Sequence, residues 1–161
     1  MHKVGQVEDK LTSSKEMTGS CQAKAKILAI SSGKGGVGKT NIAANLALCM
    51  AARQKKVLLV DGDLSLGNLD IIMDVAAKHN ISHVINGQKT IEDIIHISPE
   101  GIGIICGASG LEELANLNEF RRLRLLNELE RLGSNNDIII IFESLYPYIP
   151  TLRYGIDGII N

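Results

Sequence analysis

One stretch, Ser31 to Thr40, constrains the fold of this chain more than any other part of its sequence, and it reads SSGKGGVGKT. Gly33, Gly38, Lys39 and Thr40 fill the fixed positions of the phosphate-binding pattern GxxxxGK[ST]. The pattern requires a strand before the loop, which the apolar run Ile27 to Ile30 supplies, and a helix directly after it. The sequence therefore predicts a strand, an anion-binding loop and a helix in succession.

The residue types of this loop suit a phosphate chain. Glycines at 33, 35, 36 and 38 let successive backbone N–H groups turn toward an anion. Lys39 adds a charge for the outer phosphates, and the Thr40 hydroxyl is a ligand for Mg²⁺ at the start of the helix, where the dipole favours an anion. The residues predicted to bind the nucleotide are Gly33, Lys34, Gly35, Gly36, Val37, Gly38, Lys39, Thr40 and Asn41.

Two carboxylates follow the next strand. A helix predicted from Lys39 to about Arg53, with Ile42, Leu46, Cys49 and Met50 on its apolar side, leads to the continuous apolar run Val57 to Val60, which is typical of a parallel strand covered on both faces. Asp61 and Asp63 then lie at the strand's carboxyl end, where ligands of open α/β sheets bind. One can hold the water shell of Mg²⁺, and the other can orient a water for attack on the γ-phosphate.

The rest of the chain continues this alternation. The pattern predicts two short helices, a third strand, a longer helix with Leu125, Leu129 and Leu132 on one side, and a further buried strand. These elements are Ile81 to Asn86, Thr90 to Ile95, Ile102 to Cys106, Glu119 to Leu132 and Asp137 to Ile141. The arginines of the longer helix are interleaved with glutamates and are interpreted as a solvated face rather than a docking face. The fold class predicted is a three-layer α/β architecture with a mainly parallel sheet.

Composition excludes several classes of protein. The 161 residues are 45% hydrophobic and 22% charged, as in globular domains. A net charge of -1 argues against general, sequence-independent binding of nucleic acid. The three cysteines are far apart and form no CxxC pair, which argues against a zinc site or disulfide framework and favours a reducing cytosol. None of the four histidines is assigned a metal or catalytic role.

The loop resembles that of the ParA/MinD group of ATPases, whose deviant phosphate loop KGGVGKT it matches at every position. A second segment, DxDxxxGNLD, matches Asp61 to Asp70. The resemblance implies ATP with Mg²⁺ as ligands, and a homodimer in which Lys34 reaches the partner's nucleotide. It further implies that Lys34, Lys39 and Asp63 serve catalysis, with Asp63 positioning the attacking water, and that Thr40 and Asp61 serve the metal.

Further segments resemble the FlhG/FleN branch of this group, the MinD-like regulators of flagellar number and placement. They are GNLDI at 67–71, NISHVINGQKTIEDII at 80–95 and GASGLEELANL at 107–117, followed by the arginine-leucine helix. The resemblance covers about Lys26 to Ile141. It implies flagellar assembly partners and a cytoplasmic location with peripheral contact at the inner face of the cell membrane. Division-site selection of the MinD type is the alternative within the group, and DNA partitioning of the ParA type is disfavoured by the net charge.

The chain departs from the group's pattern at Phe142, where the group has the Walker B aspartate that orders a magnesium-bound water. Glu143 comes one residue late and would point to the opposite face of a strand. We therefore divide the chain into a flexible segment 1–25, an incomplete P-loop ATPase domain 26–142 and an atypical tail 143–161, in which no further strand or helix repeat is expected. An altered reading frame near Phe142 is our hypothesis for the tail. A nucleotide-binding module without hydrolysis and a nonfunctional fragment are the rival interpretations.

Overall fold

The structure, a computed structural model, describes residues 25–63, 68–107, 118–142 and 158–160. The predicted flexible N-terminal segment up to residue 24, most of the GASG segment, and Glu143 with most of the predicted tail lie outside the described residues. Within the described ranges, no helix is long and apolar enough to cross a membrane.

Six strands of the described ranges form one sheet. They are β1 (Lys26–Ile30), β2 (Val57–Asp61), β3 (His96–Ile97), β4 (Gly103–Ile105), β5 (Ile138–Phe142) and β6 (Gly158–Ile160). Their order across the sheet is β3-β4-β2-β5-β1-β6, and every neighbouring pair is parallel except β3 with β4. The predicted mainly parallel sheet is confirmed.

Helices cover both faces of the sheet and make three layers. They are α1 (Lys39–Ala51), α2 (Leu69–Ile72), α3 (Ile81–Ile85) and α4 (Glu119–Arg131). Alternate residues of β5 point to opposite faces, so that Ile139 and Ile141 pack with α3 and α4 while Ile140 and Phe142 pack with α1. The inner strands β2 and β5 are buried on both sides, as their continuous apolar runs predicted, and β4 is buried as well.

Helix α1 buries only part of the face that was predicted: Leu46 and Met50 are partly buried against the core, but the other two residues are not. Ala43, Ala44 and Ala47 lie against the sheet, whereas Ile42 is 49% exposed and Cys49 is also exposed. The prediction that Cys49 is a core residue is therefore wrong. Alanine methyl groups let the helix backbone approach the strands closely, which turns the larger side chains of this all-round apolar helix toward its flanks.

The second short helix is reduced to a single 3₁₀ turn, Glu92–Ile94. Thr90 and Asp93 exchange hydrogen bonds, since the Thr90 N–H donates to Asp93 Oδ2 (3.0 Å) and the Asp93 N–H donates to Thr90 Oγ1 (3.3 Å). Ile95 is already extended, so the chain enters β3 before another helical turn can form.

Helix α4 follows its prediction closely. Asn118 caps it by accepting a hydrogen bond from the Arg121 N–H (2.9 Å), and Leu125, Leu129 and Leu132 are buried as expected. Arg131 lies 3.2 Å from Glu92 and 3.5 Å from Glu128 at the surface. This pairing agrees with a solvated face of mixed charge.

Strand β6 corrects the expectation that no strand follows residue 143. Gly158–Ile160 pairs in parallel with β1, and the Ser31 N–H donates to the Ile160 carbonyl (2.9 Å). The edge of β1 that does not face β5 is therefore covered. Three residues are too short a run to be recognised as a strand from their pattern.

Candidate functional site

The loop between β1 and α1 has the backbone that an anion-binding turn requires. Gly36 and Gly38 have positive φ angles of 72° and 92°, in the left-handed region that favours glycine. Gly38 is the N-cap residue of α1, and its carbonyl accepts the first helical hydrogen bond from the Ile42 N–H (3.0 Å). The loop thus runs directly into the positive end of a helix of 13 residues.

The Lys39 side chain turns back into this loop. Its Nζ donates to Ser32 Oγ (2.9 Å) and to the Lys34 carbonyl (3.3 Å), and only 7% of the residue is exposed. The Ser32 hydroxyl in turn donates to the Lys34 carbonyl (2.7 Å). The ammonium group is therefore placed at the concave side of the loop, where the outer phosphates are predicted to lie.

The surroundings of the loop fit a phosphate chain. A Cβ built at Gly33, Gly35, Gly36 or Gly38 meets no protein atom within 4 Å, so the space beside each of these glycines is open. Lys34, Val37 and Asn41 are exposed, while Thr40 is half-buried in the first turn of α1. The nine residues predicted to bind nucleotide lie in this loop and in the first turn of α1, with open space beside the glycines.

Asp61 and Asp63 end β2 at the same edge of the sheet, but β2 is not the neighbour of β1. Strand β5 lies between them. Asp61 is buried, and its Oδ1 accepts a hydrogen bond from the Asp63 N–H (2.8 Å). With strands about 4.8 Å apart, Asp61 lies on the order of 10 Å from the end of β1. The two carboxylates therefore approach the loop across the end of β5.

Phe142 occupies that intervening position. In the sheet register, Phe142 pairs with Ile30 on one side and with Asp61 on the other. Its side chain is fully buried on the α1 side of the sheet, and its carbonyl accepts a hydrogen bond from the Gly62 N–H (2.9 Å). An apolar ring thus stands between the loop and Asp61, where the ParA/MinD resemblance has a carboxylate.

Sequence reasoning missed two residues of this site. Ser32 holds the Lys39 ammonium group, and its position just before the glycines was the only signal for it. Gly107 approaches the backbone of Asp63 so closely that a Cβ there would lie 2.0 Å from the Asp63 carbonyl oxygen. In the sequence, Gly107 is only the first residue of the segment GASGLEELANL, and nothing in that segment indicates its contact with Asp63.

Burial also determines the protonation state of Cys106, the residue before Gly107. Removal from water, together with the nearby carboxylates of Asp70 and Asp61, raises the pKa of the Cys106 thiol to about 12. The thiol therefore stays protonated at neutral pH. It adds no negative charge beside the carboxylates of β2.

The chain matches an established family over most of its length. The AAA domain family AAA_31 matches residues 25–145. The antiactivator FleN of Pseudomonas aeruginosa is 33% identical over 116 residues, which is 72% of this chain and 41% of that protein. The flagellum site-determining protein YlxH of Helicobacter pylori is 38% identical over 120 residues, which is 74% of this chain and 41% of that protein.

A solved structure agrees with the fold. The septum site-determining protein MinD from Pyrococcus horikoshii, complexed with Mg-ADP, superposes with a TM-score of 0.60 and is 30% identical, covering 73% of this chain and 48% of the other. This chain thus spans less than half the length of the curated relatives described above. With its phosphate loop, its parallel sheet and these relatives, the chain belongs to the AAA domain family AAA_31 and is of the MinD/ParA type.

Proposed function

We propose that this chain binds ATP with Mg²⁺ at the loop Ser31 to Thr40 and belongs to a regulator of flagellar number or placement that acts as an ATP-dependent dimer. The observation that carries the nucleotide assignment is the Lys39 ammonium group, which is held at the concave side of an open glycine loop at the start of α1. The MinD structure with Mg-ADP supports this choice of ligand. The names of FleN and YlxH support the flagellar role.

Each residue of the loop has a distinct task in this proposal. The glycine segment 33–38 and the N-terminus of α1 bind the phosphates, and Lys39 compensates the charge of the outer ones. Thr40 and Asp61 hold the metal or its water shell. When bound, Mg²⁺ would neutralise charge on the β- and γ-phosphates.

Hydrolysis of ATP to ADP and phosphate depends on the carboxylates of β2. Asp63 orients the attacking water in our proposal, and Asp61 supports the metal shell. Phe142 stands in place of the carboxylate expected between them and the loop, and its buried apolar ring cannot order a metal-bound water as a carboxylate would. We therefore expect slow hydrolysis. The same ring favours the second candidate function, a nucleotide-binding module without turnover.

A dimer around the nucleotide is supported by what the loop exposes. Lys34 points away from the core and is accessible to a second copy. Val37 and Ile42, beside it, are 50% and 49% exposed. Apolar side chains exposed next to a charged, ligand-binding loop are typical of an association surface. Lys34 would then reach the nucleotide of the partner copy.

The partners follow from the relatives. Flagellar assembly proteins and peripheral contact with the inner face of the cell membrane, in a cytoplasmic setting, accord with FleN and YlxH. Selection of the division site is the alternative, because the septum site-determining protein MinD has the same fold. No specific nucleic acid is proposed, since the net charge is -1.

Calorimetry of ATP binding with and without Mg²⁺, on the full chain, tests the proposal. We expect affinity in the presence of Mg²⁺, with light scattering showing a dimer when ATP is added. Phosphate release would select the ATPase, whereas binding without release would select the non-hydrolysing module. A folded chain that ignores millimolar ATP would refute both. A circular dichroism melt without a cooperative transition would indicate a nonfunctional fragment.

A further inference from the structure

The end of β4 lies against the end of β2 at the carboxylate edge of the sheet. The two strands are parallel, with Val60 opposite Ile105, so that Gly107 follows β4 at the level where Asp61 to Asp63 follows β2. A Cβ built on Gly107 would lie 2.0 Å from the Asp63 carbonyl oxygen, 3.0 Å from its carbonyl carbon and 3.3 Å from Asp61 Cγ. The backbone of Gly107 is therefore in contact with the backbone of Asp63.

Glycine is required at position 107 because a side chain has no room there, and not because of the φ angle. Gly36, Gly38, Gly87 and Gly101 have positive φ angles, but Gly107 does not. Alanine could adopt the local conformation of Gly107, and only the approach of Asp63 forbids it. Ordinary Cβ contacts are longer than 3.0 Å, so an alanine would have to separate the two backbones by at least 1 Å.

Both backbones are fixed just before this contact. The Cys106 carbonyl accepts a hydrogen bond from the Ile81 N–H (3.3 Å), which ties the end of β4 to α3. The Gly62 N–H donates to the Phe142 carbonyl (2.9 Å), which ties the end of β2 to β5. A side chain at position 107 would thus be relieved mainly by displacement of Asp63, whose N–H donates to Asp61 Oδ1.

We propose that Gly107 is a positioning residue, which sets the place of Asp63, and through it the orientation of the Asp61 carboxylate, by direct backbone contact. The proposal rests on the ATPase function proposed above. A displacement of about 1 Å in a group that orients a reactant can lower a rate about 100-fold. In our proposal the phosphates are held by the loop after β1, which is separated from β4 by β2 and β5, whereas Asp61 serves the metal. The affinity for ATP, measured without Mg²⁺, should therefore be retained.

The test compares Gly107→Ala with Gly103→Ala in the full chain. Gly103 is the first residue of β4, the strand that Gly107 follows. A Cβ at Gly103 would meet side-chain atoms, Leu58 Cδ1 at 3.0 Å and Ile95 Cγ2 at 3.3 Å, and its first backbone contact, the Val57 carbonyl oxygen, would be at 3.6 Å. For Gly107→Ala we expect kcat to fall about 100-fold while the ATP affinity changes less than about threefold. For Gly103→Ala we expect kcat close to that of the wild type.

Amide hydrogen exchange gives a readout that does not need turnover. Displacing Asp63 would weaken the bond from its N–H to Asp61 Oδ1, so we expect this amide to exchange about tenfold faster in Gly107→Ala and unchanged in Gly103→Ala. If the wild type binds ATP without releasing phosphate, the ATPase function fails and this exchange alone decides the role of Gly107. Wild-type exchange in Gly107→Ala would overturn the proposal, as would wild-type kcat in a chain that turns over.

A loss of folding is also decisive. A Gly107→Ala chain without a cooperative melt, next to a folded Gly103→Ala chain, would assign Gly107 to folding and overturn the positioning role. A fall in ATP affinity as large as the fall in kcat would do the same, because it would show that the loop after β1 had moved.

Discussion

Replacing Lys39 by alanine removes an ammonium group that lies within the phosphate loop. In the protein without nucleotide, the change deletes hydrogen bonds from Nζ, among them those to Ser32 Oγ and to the Lys34 carbonyl. It also removes a cation of which only 7% is exposed, and burying a charge is costly. Loss of the hydrogen bonds destabilises the folded chain, whereas removal of a buried charge stabilises it. Because the two effects oppose each other, we expect the free energy of unfolding to change by no more than about 1 kcal/mol.

The effect on ATP should be much larger. A hydrogen bond to a charged group contributes roughly 1.5–3 kcal/mol, and no other side chain in the described part of the loop brings an ammonium group to this place. A loss of about 3 kcal/mol lowers affinity more than about 100-fold, which would put binding below detection in a calorimeter. The measurement is titration with ATP and Mg²⁺, combined with a thermal melt.

Lys55→Ala is the matched control. Lys55 is an exposed lysine just before β2, so its removal makes the same change in net charge away from the loop. We expect the control to bind ATP as the wild type does. An ATP affinity in folded Lys39→Ala within about threefold of the control would refute the assignment of the loop.

Three further predictions concern single side chains. Asp63→Ala should bind ATP as the wild type does and release no phosphate in a coupled assay, because in our proposal the loop after β1 holds the phosphates and Asp63 orients the attacking water; wild-type turnover would contradict this role. Brief alkylation of the native chain, read by peptide mass spectrometry, should label Cys49 well before Cys106, because Cys49 is exposed and burial raises the pKa of Cys106 to about 12; equal labelling would show that the end of β4 is open. Partial burial and, after it, the charge of Lys89 lower the pKa of His79 below the value of 6.5 that it has in the unfolded chain. The contribution of His79 to stability is therefore present above pH 6.5 and is lost as the pH falls below that value. On acidification from pH 7.5 to 5.5, the melting temperature should fall less steeply in His79→Gln than in the wild type.

Much of the site could be predicted because its signals are local. The loop after β1 is specified by consecutive residues, and four glycines with a lysine leave few alternative structures. The placement of Asp61 followed from one general rule, that ligands lie at the carboxyl ends of parallel strands. The buried face of α4 followed from leucines at helical spacing.

The remainder depends on contacts between distant segments. In α1, apolar residues surround the helix, so periodicity alone could not show that Ala43, Ala44 and Ala47 face the sheet. Strand β6 has only three residues and is defined by its partner β1. The contact of Gly107 with Asp63 joins two strand ends, and no pattern within either segment reports it.

The order of strands has a consequence for synthesis of the chain. Strand β1 leaves the ribosome early, but its partners in the sheet are β5 and β6, which begin at residues 138 and 158. Helix α1 and β2 can form before then, yet β1 must wait for strands more than 100 residues downstream. Contacts so far apart in sequence close slowly. The nascent phosphate loop therefore reaches its final shape only after most of the chain has emerged, and nucleotide can stabilise the fold only at that late stage.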